Sequence, residues 1–393
     1  MKTITPLNKL DKKVIVPSSK SVATRALILA SLSPRPIWLK NLPDSTDVIN
    51  LKNALEKIGI EFKAKAKDVC VLNCFPDCEK SSPLLLETGD GGTTNRFLIA
   101  LLAKGQREYR IRMDKEMKQR PLEEIITIIQ KNGAQIFWKE DDLFIKGPFQ
   151  ETAHPIELDC KRSSQFASAL MLSYDQNLIF NNLDSSQGYL ELTKEMKKSF
   201  SHNIESYEIP TDMSSLSYPL ALGSVLGGVE VVDFKNDFLQ PDSAFINILK
   251  DIGVKLITSE NTIRVEKSNL NRPFNLDCSS FPDLVPTLCF LATKIKGLSK
   301  LKGLDVLAYK ESDRLTGCYE LLKSIGVKIE LKDKELLIVG DPEKKLDAFY
   351  YKAPKDHRMV MMAAMLMSSN SGGTLEGLHH INKSYSSFAT LLS

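Results

Sequence analysis

The sequence predicts a two-domain protein of the α/β (α+β) class, with three repeated units of helices and strands in each domain. Its 393 residues are too many for one ordinary hydrophobic core, so two domains are expected. One pattern recurs along the chain: a small, polar loop that opens an apolar helix, a second helix that ends in glycine, and two strand-like runs. Hydrophobic residues make up 42% of the chain and charged residues 26%, as in ordinary globular proteins.

The second helix of the repeat is recognised by the glycine that ends it. It recurs as L-E-K-I-G-I, I-I-Q-K-N-G-A, I-L-K-D-I-G-V and L-L-K-S-I-G-V, which places the glycines at Gly59, Gly133, Gly253 and Gly326. Glycine readily takes the left-handed conformation with which many helices end. Copies roughly 70 to 75 residues apart indicate an internal duplication, because ordinary solenoid repeats are shorter.

The residues after each glycine alternate between apolar and polar side chains and turn at polar positions. Clear examples are A-Q-I-F-W-K-E-D-D-L-F-I-K from Ala134 and V-K-I-E-L-K-D-K-E-L-L-I-V from Val327. This period of two predicts β-hairpins with one buried face.

Six polar openings precede apolar helix patterns, which indicates six units and three per domain. They begin at Ser18, Gly89, Arg162, Thr211, Ser279 and Pro354. The third unit has no clear hairpin and ends near Pro210, so we expect a domain boundary there. Because a helix N-terminus carries partial positive charge, a cleft that gathers several of them suits small ligands with more than one negative charge.

The first opening combines hydroxyl groups with cations. Pro17 to Arg25 reads P-S-S-K-S-V-A-T-R, and Arg25 follows Ser21 by one helical turn on the same face. Lys20, Ser21 and Arg25 could therefore grip a phosphate or carboxylate. The alternative is a capped helix with surface cations.

The second opening is rich in glycine. Gly89 to Arg96 reads G-D-G-G-T-T-N-R and lacks the G-K-[ST] ending of a P-loop, so a nucleoside triphosphate is not indicated. Glycine permits close approach of the backbone to a ligand, whereas the structural alternative is a tight turn.

Charged residues also cluster at later openings. Lys310 to Leu315 reads K-E-S-D-R-L before an apolar helix, with Ser312 or Asp313 as the expected N-cap. Such a cluster could hold an anion while a carboxyl group handles a proton, or it could be a solvated, salt-bridged helix start. Further candidates at helix starts are Arg120 before Pro121, Asp283 after Pro282, and the Asp356, His357, Arg358 run.

Composition argues against several other classes of protein. The net charge of +3 is too small to indicate nucleic acid as a partner. The longest apolar run, Met359 to Met367, is about half a membrane span, and the N-terminal residues lack a signal-peptide pattern, so we expect a cytoplasmic protein. The seven scattered cysteines indicate reduced thiols, and Cys70, Cys74 and Cys78 do not fit a zinc spacing.

Seven segments, in order, resemble the enolpyruvyl transferases, and within them the EPSP synthase family. They are P-S-S-K-S-V-A-T-R, G-D-G-G-T-T-N-R, Q-R-P, S-S-Q-F, F-P-D, K-E-S-D-R-L and D-H-R, and the resemblance covers essentially the whole chain. It implies two domains, each of three βαβαββ units, with helix N-termini facing an interdomain cleft. It also implies that residues 1–16 and 211–393 form one discontinuous domain and that residues 17–210 form an inserted one.

The resemblance implies transfer of the enolpyruvyl group of phosphoenolpyruvate to the 5-hydroxyl of shikimate 3-phosphate, with release of phosphate and without a metal or an organic cofactor. Its implied catalytic residues are Asp283 as base, Glu311 as acid, and Lys20. Those implied for shikimate 3-phosphate are Lys20, Ser21, Arg25, Ser163, Ser164, Ser186, Tyr189, Asp283 and Lys310. Those implied for phosphoenolpyruvate are Lys20, Gly92, Thr93, Arg96, Arg120, Gln165, Arg314, Arg358 and Lys383. A monomer with these two small anionic substrates as its partners is implied as well.

Three positions depart from the family pattern. Asp90 and Val306 stand where the family usually has asparagine, and Ala308 stands where arginine is common. Two other functions therefore stay open. One is the sister reaction on UDP-N-acetylglucosamine, although I-R-M-D-K-E-M-K-Q-R at residues 111–120 lacks the cysteine of that enzyme's loop. The other is a non-catalytic relative that binds a phosphorylated ligand.

Overall fold

The computed structural model describes residues 1–76, 82–183 and 185–393. Its helices are α1 (Lys20–Ser31), α2 (Thr46–Ile58), α3 (Gly92–Leu102), α4 (Lys115–Lys118), α5 (Glu123–Lys131), α6 (Gln165–Ser173), α7 (Gln187–Ser201), α8 (Met213–Leu226), α9 (Ala244–Asp251), α10 (Val285–Thr293), α11 (Arg314–Ser324) and α12 (His357–Ser368). Its strands are β1 (Lys2–Ile4), β2 (Leu10–Ile15), β3 (Ile37–Lys40), β4 (Phe62–Lys65), β5 (Asp68–Val71), β6 (Leu84–Gly89), β7 (Glu108–Met113), β8 (Gln135–Lys139), β9 (Asp142–Lys146), β10 (Ile156–Asp159), β11 (Leu178–Asn181), β12 (Ser206–Glu208), β13 (Gly227–Val232), β14 (Leu256–Thr258), β15 (Thr262–Val265), β16 (Asn275–Asp277), β17 (Gly297–Lys302), β18 (Lys328–Lys332), β19 (Glu335–Gly340), β20 (Phe349–Lys352) and β21 (Gly373–Glu376).

The chain forms two compact units. Unit 1 consists of residues 1–17 together with 210–393, and unit 2 consists of residues 18–209. Each has its own hydrophobic core, since the buried apolar side chains fall into two clusters that follow the same division.

Unit 2 contains two four-stranded sheets and one two-stranded sheet. The strand orders are β12-β3-β5-β4, β6-β7-β9-β8 and β10-β11. The pairs β12 with β3, β6 with β7, and β10 with β11 are parallel, whereas β4 with β5 and β8 with β9 form antiparallel hairpins. Among the described residues, the third repeat of this unit therefore has no hairpin, as the sequence predicted.

Unit 1 repeats the arrangement. Its strand orders are β14-β15-β13-β2, β16-β17-β19-β18 and β1-β21-β20. Parallel pairing again joins the strands on either side of a buried helix: β2 with β13, β16 with β17, and β20 with β21. The prediction of an α/β fold with three βα units in each domain is confirmed.

The buried helices begin at regular intervals. The first residues of α1, α3 and α6 are 20, 92 and 165, and those of α8, α10 and α12 are 213, 285 and 357. Within each unit, successive buried helices therefore begin 72 or 73 residues apart. All residues of α10 and α12 are buried, methionines included. The six predicted polar openings each precede one of these helices.

The four glycines end the second helices in the left-handed conformation. The φ angles are 118° at Gly59, 92° at Gly133, 93° at Gly253 and 81° at Gly326. Each glycine amide donates back to a carbonyl in the last turn of its helix, for example to Glu56 O at 3.0 Å from Gly59. A side chain would be strained at these angles, which explains why glycine recurs there and confirms the predicted helix ends.

No helix in the part of the chain that the structure describes is long and apolar enough to cross a membrane. The cysteines described as free thiols are Cys70, Cys74, Cys160, Cys278, Cys289 and Cys318. Cys78, which the sequence analysis grouped with Cys70 and Cys74, lies outside the described residues.

Candidate active site

Helix α1 begins with the lysine that the sequence singled out. Ser19 is its N-cap, and the hydroxyl of Ser19 accepts from Val22 N at 3.3 Å. Lys20 Nζ lies 2.9 Å from Oδ2 of Asp47, a carboxylate that is only 2% exposed. Because a buried ion pair limits the freedom of both partners, Asp47 fixes the position of the Lys20 ammonium.

Arg25 is buried among neutral acceptors. Its guanidinium donates to Thr193 Oγ1 at 2.8 Å, Ser21 O at 2.8 Å, Ser168 Oγ at 3.2 Å and Tyr189 O at 3.3 Å. Burial lowers the pKa of Arg25 to about 10, partly offset by Tyr189. These bonds join α1, α6 and α7, so Arg25 holds Ser21 and Tyr189 in place within unit 2.

The glycine-rich opening brings its backbone against two arginines. A β-carbon at Gly92 would lie 2.7 Å from Arg120 Nη2 and 2.9 Å from Arg96 Nη1. Arg120 is 8% exposed, and its Nη1 donates to the carbonyl of Asp90 at 3.4 Å. The Nε of Arg120 is buried without a hydrogen-bond partner among the described residues, a donor that an anion could satisfy.

Arg96 connects this loop to α6. Its Nη1 donates to Gln165 Oε1 at 2.6 Å and its Nη2 to Pro121 O at 2.7 Å. The structure thus brings Gly92, Arg96, Arg120 and Gln165 together, and Thr93 is the buried residue after Gly92. Pro121 was expected to start a helix, but α5 begins two residues later, at Glu123, because Leu122 is the N-cap.

The predicted serines lie at the starts of α6 and α7. Ser163 Oγ accepts from Gln165 N at 3.2 Å, and Ser164 is buried directly before α6. Ser186 precedes α7 in the left-handed conformation, with φ of 59°. Its carbonyl accepts from Tyr189 N at 3.1 Å, which places Tyr189 in the first turn of that helix.

In unit 1, Asp283 is shared by three cations. Its Oδ1 lies 2.8 Å from Arg314 Nη1 and 3.2 Å from Lys310 Nζ, and its Oδ2 lies 3.0 Å from Arg358 Nη2. Burial by itself would raise the pKa of Asp283, but Arg358, Lys310 and Arg314 outweigh burial and hold the pKa well below its usual range. Asp283 is therefore ionised.

Arg314 is the centre of the same network and is 1% exposed. Besides Asp283, it donates through Nη2 to Glu311 Oε2 at 2.5 Å and through Nε to Asp356 Oδ2 at 2.8 Å. Burial would lower the pKa of Arg314, but Asp356, Glu311 and Asp283 raise it above its ordinary value. Three cations and three carboxylates thus balance each other in this network.

Two helix N-caps lie in or beside this network. Asp313 caps α11 by accepting from Thr316 N at 3.1 Å, and Asp356 caps α12 by accepting from Arg358 N at 2.9 Å. The sequence left Ser312 and Asp313 open as the cap. Asp313 takes that role, while Ser312 Oγ donates to Asp356 Oδ2 at 3.0 Å.

Arg358 has further neighbours that the sequence did not indicate. Its Nη1 lies 3.5 Å from the hydroxyl of Tyr218. Asp242 is buried and accepts a hydrogen bond from Ser214 Oγ. Burial and the charge of Asp283 raise the pKa of Asp242 to about 7, while Arg358 opposes that rise.

Lys383 ends the 3-10 turn Leu378–Lys383, which packs against α12, and is 6% exposed. Of the departures from the family pattern, Val306 is buried in the 3-10 turn Asp305–Tyr309, which also contains the exposed Ala308. Within the described ranges, no group of three or more histidine, cysteine, aspartate and glutamate side chains is arranged to hold a metal ion.

Comparisons with known proteins agree with these features. The sequence model of the family described as EPSP synthase (3-phosphoshikimate 1-carboxyvinyltransferase) matches residues 4–207 and 197–392. A protein of Buchnera aphidicola subsp. Cinara cedri named 3-phosphoshikimate 1-carboxyvinyltransferase is 28% identical, over 98% of this chain and 95% of the relative. A protein of the same name from Aliivibrio salmonicida is 29% identical, over 95% and 94%.

Solved structures share the fold. An EPSP synthase from Acinetobacter baumannii superposes with a TM-score of 0.79 at 20% identity, covering 99% of this chain and 96% of its own. The enolpyruvyl transferase NikO from Streptomyces tendae gives 0.75 at 13% identity, covering 99% and 95%. Because the sequence match extends over nearly the whole length of both units, the chain belongs to the EPSP synthase (3-phosphoshikimate 1-carboxyvinyltransferase) family.

Proposed function

We propose that this chain transfers the enolpyruvyl group of phosphoenolpyruvate to the 5-hydroxyl of shikimate 3-phosphate, releasing inorganic phosphate. The observation that carries the proposal is the Asp283 network, in which one ionised carboxylate is surrounded by Lys310, Arg314 and Arg358 beside a second carboxyl group, Glu311. Such a reaction needs fixed cations for two polyanionic substrates and two groups that exchange protons.

The proton-transfer roles follow from the charges in this network. Asp283 is the base that accepts the proton of the attacking hydroxyl, and its ionised form is maintained by its three cations. Glu311 is the acid that protonates the methylene carbon of phosphoenolpyruvate. The hydroxyl oxygen then bonds to the adjacent carbon, and the tetrahedral product loses a proton and phosphate to give the enolpyruvyl ether.

The substrate-binding residues of this proposal come from both units. Shikimate 3-phosphate is bound in unit 2 by Lys20, Ser21, Arg25, Ser163, Ser164, Ser186 and Tyr189, and in unit 1 by Asp283 and Lys310. Phosphoenolpyruvate is bound in unit 2 by Lys20, Gly92, Thr93, Arg96, Arg120 and Gln165, and in unit 1 by Arg314, Arg358 and Lys383. The buried, unpaired Nε of Arg120 and the fixed ammonium of Lys20 support the anion-binding role.

The first experiment measures phosphate release from phosphoenolpyruvate with three acceptor conditions: shikimate 3-phosphate, UDP-N-acetylglucosamine and no acceptor. Release with shikimate 3-phosphate alone is expected. Release with UDP-N-acetylglucosamine alone would assign the sister reaction. Calorimetric binding of shikimate 3-phosphate without release under any condition would identify a non-catalytic relative.

The same proposal includes a cytoplasmic location and a monomeric state. Its partners are the small anionic substrates, and nucleic acid is not one of them. Light scattering of the purified protein tests the oligomeric state, and a mass of 44.0 kDa is expected.

A further inference from the structure

Unit 2 contains a pocket at the opposite ends of the helices that carry the candidate site. The pocket has a volume of about 430 Å³ and is lined by the last turn of α1, the residues after α3, the end of α6 and the last turns of α7. Lys20, Gly92 and Gln165 stand at the other ends of α1, α3 and α6. Since α1 has 12 residues, the two sites are separated by about 18 Å of helix.

Three cations and one carboxylate line this pocket, which leaves it net positive. They are Arg35, Lys104, Lys197 and Asp175. Lys197 uses all its donors, to Met171 O and Tyr174 O at 2.8 Å each and to Asp175 Oδ1 at 2.7 Å. Its charge is therefore already compensated.

The positive charges of Lys104 and Arg35 are less well compensated than that of Lys197. Lys104 Nζ makes one hydrogen bond, to Ser173 O at 2.6 Å, and no ion pair among the described residues. Burial lowers the pKa of Lys104 despite the opposing charges of Glu151 and Asp175, and Lys197 lowers it further. The exposed guanidinium of Arg35 has no hydrogen-bond or ion-pair partner within the described ranges. Lys104 Nζ also lies 4.8 Å from the centre of the Tyr174 ring. Since Arg35 and Lys104 line one pocket, an anion bound there would gain charge-assisted hydrogen bonds.

A structural role explains part of this arrangement. Lys104 follows a buried helix and donates to the C-terminal carbonyl of another, and Lys294 of unit 1 likewise donates to Ser369 O at 3.4 Å. Such bonds stabilise helix ends. Capping does not account for Arg35 or for an open pocket of this volume beside the lysine.

The remaining wall of the pocket is apolar. Leu29, Leu32, Leu172 and Phe200 contribute to it, and its volume lies within the range of small-molecule sites. We propose that this pocket is a second ligand site, which binds a small organic anion through Arg35 and Lys104 and packs the apolar body of that anion against Phe200 and the leucines. The site is independent of the transfer reaction proposed above.

Binding of 3-phenylpropionate, measured by calorimetry on the full chain in saturating shikimate 3-phosphate, tests the proposal. Saturable binding is expected, with the neutral 3-phenylpropanamide and inorganic phosphate each at least about tenfold weaker, because one lacks the charge and the other the apolar body. Equal binding of the amide, equal binding of phosphate, or no binding of the carboxylate would each overturn it.

Two variants locate the binding. Arg35→Gln removes a charge that makes no hydrogen bond or ion pair with the described residues, so it is expected to weaken 3-phenylpropionate binding about tenfold without changing Tm or phosphate release. Lys65→Gln, on an exposed strand of the same unit, is the matched control and should bind the probe as the unchanged protein does. If both variants lose affinity equally, or if neither does, the anion does not occupy this pocket.

Discussion

Arg314 and Glu311 are joined by a hydrogen bond of 2.5 Å between Nη2 and Oε2, while the same guanidinium holds Asp283 at 2.8 Å. The proposed acid and the proposed base therefore share one buried cation. The sharing balances the charges of the network, and it has a consequence for ligand binding. An anion that engages Arg314 must compete with the three carboxylates already bonded to it, those of Asp283, Glu311 and Asp356.

Binding of phosphoenolpyruvate is therefore expected to take up protons. When negative charge is added beside Glu311, the protonated form of this carboxyl group becomes more favourable, since like charges repel. Calorimetric titrations near pH 7 in two buffers of different ionisation enthalpy measure the uptake, which we expect to be up to about one proton per ligand. The Glu311→Gln variant should take up less. Identical heats in both buffers, after dilution correction, would show that the carboxylates keep their charge.

Replacing Glu311 by glutamine should separate binding from chemistry. Glutamine keeps an oxygen that can accept from Arg314, so the affinity for both substrates should change little. Turnover should fall by about a hundredfold or more, because general acid catalysis is lost. Glu320→Gln, at an exposed position of α11 shortly after Glu311, is the control and should retain full turnover. Unchanged kcat in Glu311→Gln would remove this residue from the mechanism.

Arg120→Ala is expected to raise the KM for phosphoenolpyruvate by about ten- to a hundredfold, the range for loss of a charge-assisted hydrogen bond. The geometric reason is the position of Arg120 against Gly92, with its Nε buried and unpaired in the described part of the chain. Steady-state kinetics with shikimate 3-phosphate held saturating checks this expectation. Arg120→Lys keeps the charge and should lose less. A normal KM in both variants would place Arg120 outside the substrate site.

Gly92→Ala tests the contact between Gly92 and Arg120 by changing the glycine instead of the arginine. The added methyl group would lie 2.7 Å from Arg120 Nη2 and 2.9 Å from Nη1, closer than such atoms approach, so the guanidinium must move. We expect a higher KM for phosphoenolpyruvate and weaker inhibition by glyphosate, its proposed mimic. Gly105→Ala, in a loop of the same unit, is the control for a methyl group elsewhere. If the KM and the inhibition are both unchanged, the loop does not contact this substrate.

Much of the fold was predictable because each element of the repeat is marked by a few neighbouring residues. The four helix-ending glycines and the polar openings are short-range signals, since a left-handed residue or an N-cap depends on a few neighbouring residues. The same holds for Asp313 at the start of α11. Pro121 shows the limit of such signals, because the helix after it begins two residues late, with Leu122 as its N-cap.

The partners of the site residues were not predictable from local patterns. Asp47 pairs with Lys20 across 27 positions of sequence, and Asp356 pairs with Arg314 across 42. The residues around each carboxylate do not identify its partner, because the pairing arises from the packing of separate helices. Asp242 is a stronger example, since a P-D-S turn alone says nothing about burial beside another carboxylate.

Asp242 should make the stability of the protein depend on pH in an unusual direction. Its pKa is about 7 in the folded chain, against about 3.9 for an unfolded aspartate. Between these values the folded state holds a proton that the unfolded state has released, so stability falls as pH rises through the window. Asp242→Asn removes this dependence and keeps an oxygen that can accept from Ser214 Oγ.

Urea unfolding at pH 5 and at pH 8 measures the effect. Relative to the unchanged protein, Asp242→Asn should gain on the order of a few kcal/mol between the two pH values, because the unchanged protein loses stability over that range. Asp277→Asn serves as a control, because hydrogen bonds from Ser279 lower the pKa of that exposed carboxyl, so its contribution changes below pH 5. Parallel pH profiles for Asp242→Asn and the unchanged protein would mean that Asp242 stays ionised throughout, and that Arg358 rather than a proton balances its charge.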